Sequence, residues 1–150
     1  MNTDFDQLIP ELKQWNNGKG IDIEAWIGCV GDFQKAIGYS VIFWPRFAEV
    51  EGCIVREGTP RESVLQWLAH CGGDRRGVEA VINHLHLQDL HHAHCEDVTA
   101  ERLAYLGRVL KEIHECKLRR DFPGRSFVVT FDEPEDKSHL VDYILSFYQQ

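Results

Sequence analysis

Five of the eight histidines lie between His84 and His94, within the stretch from Asn83 to Asp97. Imidazole both binds transition metals and moves protons near neutral pH, so chemistry is sought here first. A metal site needs three or four donors converging on one point. In an extended chain His84 and His86 point one way while Leu85 and Leu87 point the other. Such a pair can chelate, and Asp89 follows as a ligand or as an acceptor that orients a ring. In a continuous helix His84 and His86 diverge; His91 and Cys95 then lie one turn apart, with His92 close to both. The two geometries use different residues, so no single site holds all five histidines. The metal candidates are therefore His84, His86 and Asp89, with zinc as the cofactor of that reading and no cofactor otherwise. Asn83 joins them as a binding candidate, because a helix gives way to a loop there.

Known signatures narrow the chemistry. His-Glu-x-x-His is absent, which removes the zincin protease pattern. His94-Cys95-Glu96 is followed by no Pro-Cys-x-x-Cys, so it is not half of a deaminase centre. A chain of 150 residues cannot build the barrel of the His-x-His hydrolases. His94 stands beside Cys95, but sequence neighbours do not present a base to a thiol, and no Gly-rich phosphate loop occurs. The structural alternative places His84 at a helix C-terminus, where imidazolium interacts with the dipole. Asn83 and His86 then bond backbone in the following turn, and His91 to His94 form a solvated loop.

The elements around this stretch follow from apolar spacing. Phe5, Leu8, Ile9, Leu12 and Trp15 are helically spaced, with Pro10 favouring a turn and then a helix start. Asp22 caps a helix that carries Ile23, Trp26, Ile27, Val30, Phe33 and Ile37 on one face, up to Gly38. Tyr39 to Phe47 packs four aromatics into nine residues, with Ser40 as a cap and Pro45 as a break. It reads as a buried aromatic corner or as a partner surface; in the second case Trp44, Arg46 and Phe47 are the anchors. Glu51 to Arg56 is a short strand. Thr59-Pro60-Arg61-Glu62 is a capping box with Pro at the first helical position. Asp74 caps a helix with Val78, Val81, Ile82 and Leu85 on its buried side. Asp97 or Thr99 caps the longest helix, striped by Leu103, Leu106, Leu110 and Ile113, with Val109 and Cys116 alongside; Phe122-Pro123-Gly124 ends it. Two strands follow, Phe127 to Phe131 and Val141 to Tyr148. They pair antiparallel, joined by the strand near Cys53. The expected fold is α+β, a single domain over residues 1–150. About five helices pack on a small, mainly antiparallel sheet of about three strands.

Composition bounds the partners. A net charge of −8 is poorly matched to a phosphate backbone, so no nucleic acid is expected. The longest apolar run, Val41 to Trp44, is far too short to span a bilayer. The five cysteines are odd in number and widely spaced, which suggests free thiols in a reducing compartment. No signal peptide is read at the N-terminus, so a cytoplasmic location is expected. In size and charge alone the chain is similar to small bacterial proteins that neutralise a basic toxin or enzyme. That implies a non-enzymatic, immunity-like or regulatory module with a basic protein partner. The alternative is a metal-dependent hydrolase using the His-x-His pair and Asp89. The small sheet leaves an edge that a second subunit could cover, so a homodimer is allowed.

Overall fold

The computed structural model describes residues 4–91 and 95–150, so His92 and His94 lie outside the described residues. Contacts divide the chain into two units, residues 1–40 and 41–150.

The first unit is helical. It contains α1 (Phe5–Leu8), a 3-10 turn (Pro10–Gln14), α2 (Trp15–Gly18) and α3 (Ile23–Val30); α4 (Phe33–Phe43) begins in it and crosses the division. The helix expected from Pro10 is only that 3-10 turn, because Asn16 and Asn17 both take left-handed backbone (φ 55° and 56°) and reverse the chain. The single helix expected along Ile23 to Ile37 is two. Asp22 caps α3 by accepting from the Ala25 N–H at 2.9 Å. Gly31 is extended, and Asp32 starts a new helix by accepting from the Lys35 N–H at 2.8 Å. Ser40 caps nothing; its hydroxyl donates to the Ile37 carbonyl at 2.7 Å within α4. Among the described residues of this unit only Leu12 is buried.

The second unit holds the hydrophobic cores. β1 (Phe47–Val50) and β2 (Cys53–Arg56) form an antiparallel hairpin. Its two turn residues, Glu51 and Gly52, both have positive φ (53° and 81°), the primed geometry that matches strand twist. A Cβ at Gly52 would also meet the Arg75 guanidinium at 2.8 Å, a contact that the flexible arginine side chain can relieve by shifting, so the positive φ is what favours glycine there. α5 (Arg61–His70) starts one residue later than expected, with Pro60 as its cap. The capping box does not form: Thr59 lies one residue before the cap, no side chain caps the helix, and the Thr59 hydroxyl donates to the Arg56 carbonyl at 2.7 Å. Asp74 caps α6 (Arg75–Ile82) as expected, accepting from the Arg76 N–H. Thr99 caps α7 (Ala100–Asp121) through the Arg102 N–H.

β3 (Leu85–His86), β4 (Phe127–Asp132) and β5 (Ile144–Gln149) make an antiparallel sheet in the order β3-β5-β4. The two C-terminal strands pair as expected, from Phe127 opposite Gln149 to Asp132 opposite Ile144. Leu145, Phe147 and Val129 share one face and pack with Leu103, Leu110 and Leu118 of α7. Cys53, Val55, Val64 and Val78 form a second buried cluster. The buried side of α7 runs through Gly107, His114 and Leu118 rather than Leu106 and Ile113, and Cys116 is exposed. Gly107 is where Phe131 presses against the helix, and a Cβ there would overlap its ring. Gly107→Ala, which in an open helix gains about 1 kcal/mol, should here cost about 2 kcal/mol in urea unfolding by overpacking.

The fold is α+β, but the element counts differ from expectation. Among the described residues there are seven helices, and five strands in two sheets. The strand at Cys53 does not join β4 and β5. Two side chains of α6 stand between the sheets instead. Glu79 is fully buried and accepts from the Ile54 N–H on β2 and the Gln149 N–H on β5, both at 2.6 Å. Asn83, one turn on, donates from Nδ2 to the carbonyls of Ile54 (2.9 Å) and Phe147 (3.2 Å). The Gln149 side-chain amide also donates to Glu79. A carboxylate and a carboxamide thus satisfy the strand edges that a missing strand would have paired.

Candidate functional site

The loop after α6 takes the extended form. Asn83 ends the helix, and Leu85 and His86 pair with Leu145 and Ile144. Leu85 and Leu87 turn to the core, and the rings of His84 and His86 come together on the other face, centroids 4.5 Å apart. The His86 Nδ1 lies 2.6 Å from the Val141 carbonyl. A carbonyl only accepts, so Nδ1 carries the proton and the neutral ring has its lone pair on Nε2. The affinity of His84 for a proton is lowered, first by desolvation and then by His86, while Asp132 opposes both. Asp132 and His86 flank Ile144 in one row across the sheet, so their side chains leave the same face.

Asp89 lies exposed in the 3-10 turn Leu87–Leu90. Among the described residues no three His, Cys, Asp or Glu side chains are grouped so that they could hold a metal ion. The site is therefore a histidine pair with a carboxylate nearby. Asn83 is buried; its Nδ2 donates to the Ile54 and Phe147 carbonyls, while its Oδ1 has no hydrogen-bond partner among the described residues.

The aromatic corner separates into core and surface. Phe47 is partly buried and packs edge-on against Phe147 (4.9 Å) and His114 (5.5 Å) at the margin of the main core. Trp44 is half-exposed, with the Lys117 ammonium 5.6 Å and the Arg120 guanidinium 5.8 Å from its ring centre. Arg46 is exposed and sits 3.7 Å from Glu57.

Sequence spacing missed the most exposed apolar surface. Every residue from Ile27 to Ser40 is exposed. Phe33 is 89% exposed, Ile37 70% and Ile27 54%, and Val30 is open as well. Gly31-Asp32 is the sequence signal for the break between α3 and α4, a helix stop followed by a cap. Neither helix fully buries a residue, and of α4 only its last two residues, Ile42 and Phe43, pack partly against the main core. Helices of eight and eleven residues are marginal in water without packing, so their apolar sides call for a covering surface. No described helix is long and apolar enough to cross a membrane. No protein-family model, curated protein or solved structure matches the chain.

Proposed function

We propose that this chain is a protein-binding module whose contact surface is the apolar side of α3 and α4, and whose partner brings an apolar strip rimmed by basic side chains. The observation that carries this reading is the run of exposed residues from Ile27 to Ser40, with Phe33 and Ile37 its most exposed large apolar side chains. Large apolar groups left in water at this density mark an interaction site. Burying a side chain the size of Phe33 or Ile37 is worth roughly 1.5–3 kcal/mol. Charge selects the partner. Residues 1–40 carry six carboxylates against three lysines, within a chain of net charge −8. A basic rim is steered toward such a surface and an anionic lipid surface is repelled.

The test compares wild type with Phe33→Glu/Ile37→Glu. Unfolding free energy should change by no more than about 0.5 kcal/mol, because neither side chain touches a core. A photo-crosslinking residue at Val30 should capture a basic protein with wild type and not with the double variant. That protein, once purified, should slow amide exchange in α3 and α4, and binding should weaken as salt rises. Capture that survives both substitutions would overturn the surface. Concentration-dependent dimerisation abolished by the substitutions would give the surface to a second copy instead. Binding to neutral phosphatidylcholine vesicles abolished by them would give it to a bilayer; either result overturns the basic partner.

A further inference from the structure

Apart from that surface, the histidine pair has a geometry that the fold itself does not use. His86 is held from behind by the Val141 carbonyl, so its Nε2 lone pair is the free end of the ring. This is how a histidine that ligates a metal is usually oriented, its other nitrogen donating to a carbonyl or carboxylate. His84 projects from the same face of the extended segment, with its ring centre 4.5 Å from that of His86. Two imidazole nitrogens bound to one ion at ~2.0–2.1 Å stand about 3 Å apart. The two ring planes are tilted by 41°, and His84 is the exposed member of the pair, so it is the ring that would turn toward an ion on the His86 Nε2. The negative charge of Asp132 acts on His84 from the same side of the sheet and favours a cation there. Among the described residues no lysine or arginine is paired with either ring; the Arg56 guanidinium bonds the His84 carbonyl, at 3.4 Å.

We propose that His84 and His86 together chelate one divalent ion of the copper, nickel and zinc class, leaving its other positions to water or to an external donor. Imidazole donors select this class over magnesium and calcium, which require oxygen ligands. With two protein ligands the site is open. It differs in this from a closed structural zinc site, which takes four, and from the hydrolase arrangement with three. The inference does not depend on the partner surface of α3 and α4.

The experiment uses the untagged, chelator-treated full chain, titrated with Cu²⁺ and separately with Zn²⁺. One equivalent of Cu²⁺ should bind, and its electron paramagnetic resonance spectrum should show two equatorial nitrogens. His84→Ala should weaken binding by about tenfold or more and remove one nitrogen. His84→Ala/His86→Ala should abolish the site, with circular dichroism confirming the fold. Since His86 also bonds Val141, the exposed His84 variant is the decisive one. Wild-type affinity retained by the double variant would mean an adventitious ion on the other six histidines, and would overturn the proposal. Binding by wild type no tighter than that of the double variant would do the same.

Discussion

Replacing Glu79 by alanine should lower the free energy of unfolding by about 3 kcal/mol, among the largest effects of any single side chain here. The carboxylate is fully buried and takes the N–H groups of Ile54 and Gln149 together with the Gln149 amide. Truncation leaves buried donors without acceptors, at about 1–3 kcal/mol each. The loss is partly offset, because a charged group no longer has to leave water on folding. Glu79→Gln keeps one carbonyl oxygen and turns an amide N–H₂ toward a remaining donor, so it should cost about 1–2 kcal/mol. Asn83→Ala breaks the other half of the same bridge. The Glu79→Ala/Asn83→Ala cycle should show coupling of more than about 0.5 kcal/mol, because both residues hold Ile54. Urea unfolding measures all three. A Glu79→Ala loss below about 1 kcal/mol would mean that the two sheets do not need the bridge.

Acid should weaken the protein through one buried imidazole. His114 sits in the main core beside Phe47 and Phe147, with Nδ1 2.8 Å from the Leu110 carbonyl. Burial drives its pKa down from 6.5 to about 4, the Leu110 bond opposing and the Arg56 charge adding to the shift. The folded state therefore stays unprotonated where the unfolded chain already takes up a proton. Stability is fully present above about pH 6.5, falls as pH drops toward 4, and has lost about 3 kcal/mol at the lower end. Carboxylates contribute mainly below their ordinary pKa of about 4, so pH 4.5–6.5 reports on histidines, the buried His114 with the large shift and the exposed His84 with a shift in the same direction. His114→Phe keeps a ring against Phe47 and Phe147 and should flatten the profile across that window. It forfeits the Leu110 bond at a cost of about 1 kcal/mol at pH 7. A variant with the wild-type slope would place the acid sensitivity elsewhere.

What could be read from the sequence was local. Asp74 and Thr99 announce their helices, and the alternation from Phe127 onward gives an antiparallel pair. The conditional geometry of His84 and His86 was also legible, because period two alone decides whether they share a face. Asn83 and Glu79 were not. A polar pair one turn apart on a helix has the spacing of an ordinary solvated face, and only the approach of β2 and β5 makes it a buried bridge. Phe47 and Trp44 stand three residues apart with similar composition around them, yet one packs against the core and the other lies at the surface. Periodicity also misplaced Ile27 to Ile37. Apolar spacing states which side a helix can bury, and nothing in it states that a covering surface exists.

The order of the strands bears on how the chain assembles during synthesis. β5 is the central strand of its sheet, flanked by β3 and β4, and residues 147 and 149 also receive the bridge from α6. A growing chain emerges N-terminus first. The partners of β5 at residues 79, 83, 85 and 86 are therefore made long before residues 144–149 reach them. Until then the edges of β2 and β3 are unpaired, and the Glu79 carboxylate has no reason to leave water. The main core is thus a late event that closes around one strand, and nascent chains short of residue 149 are the species that need protection from aggregation.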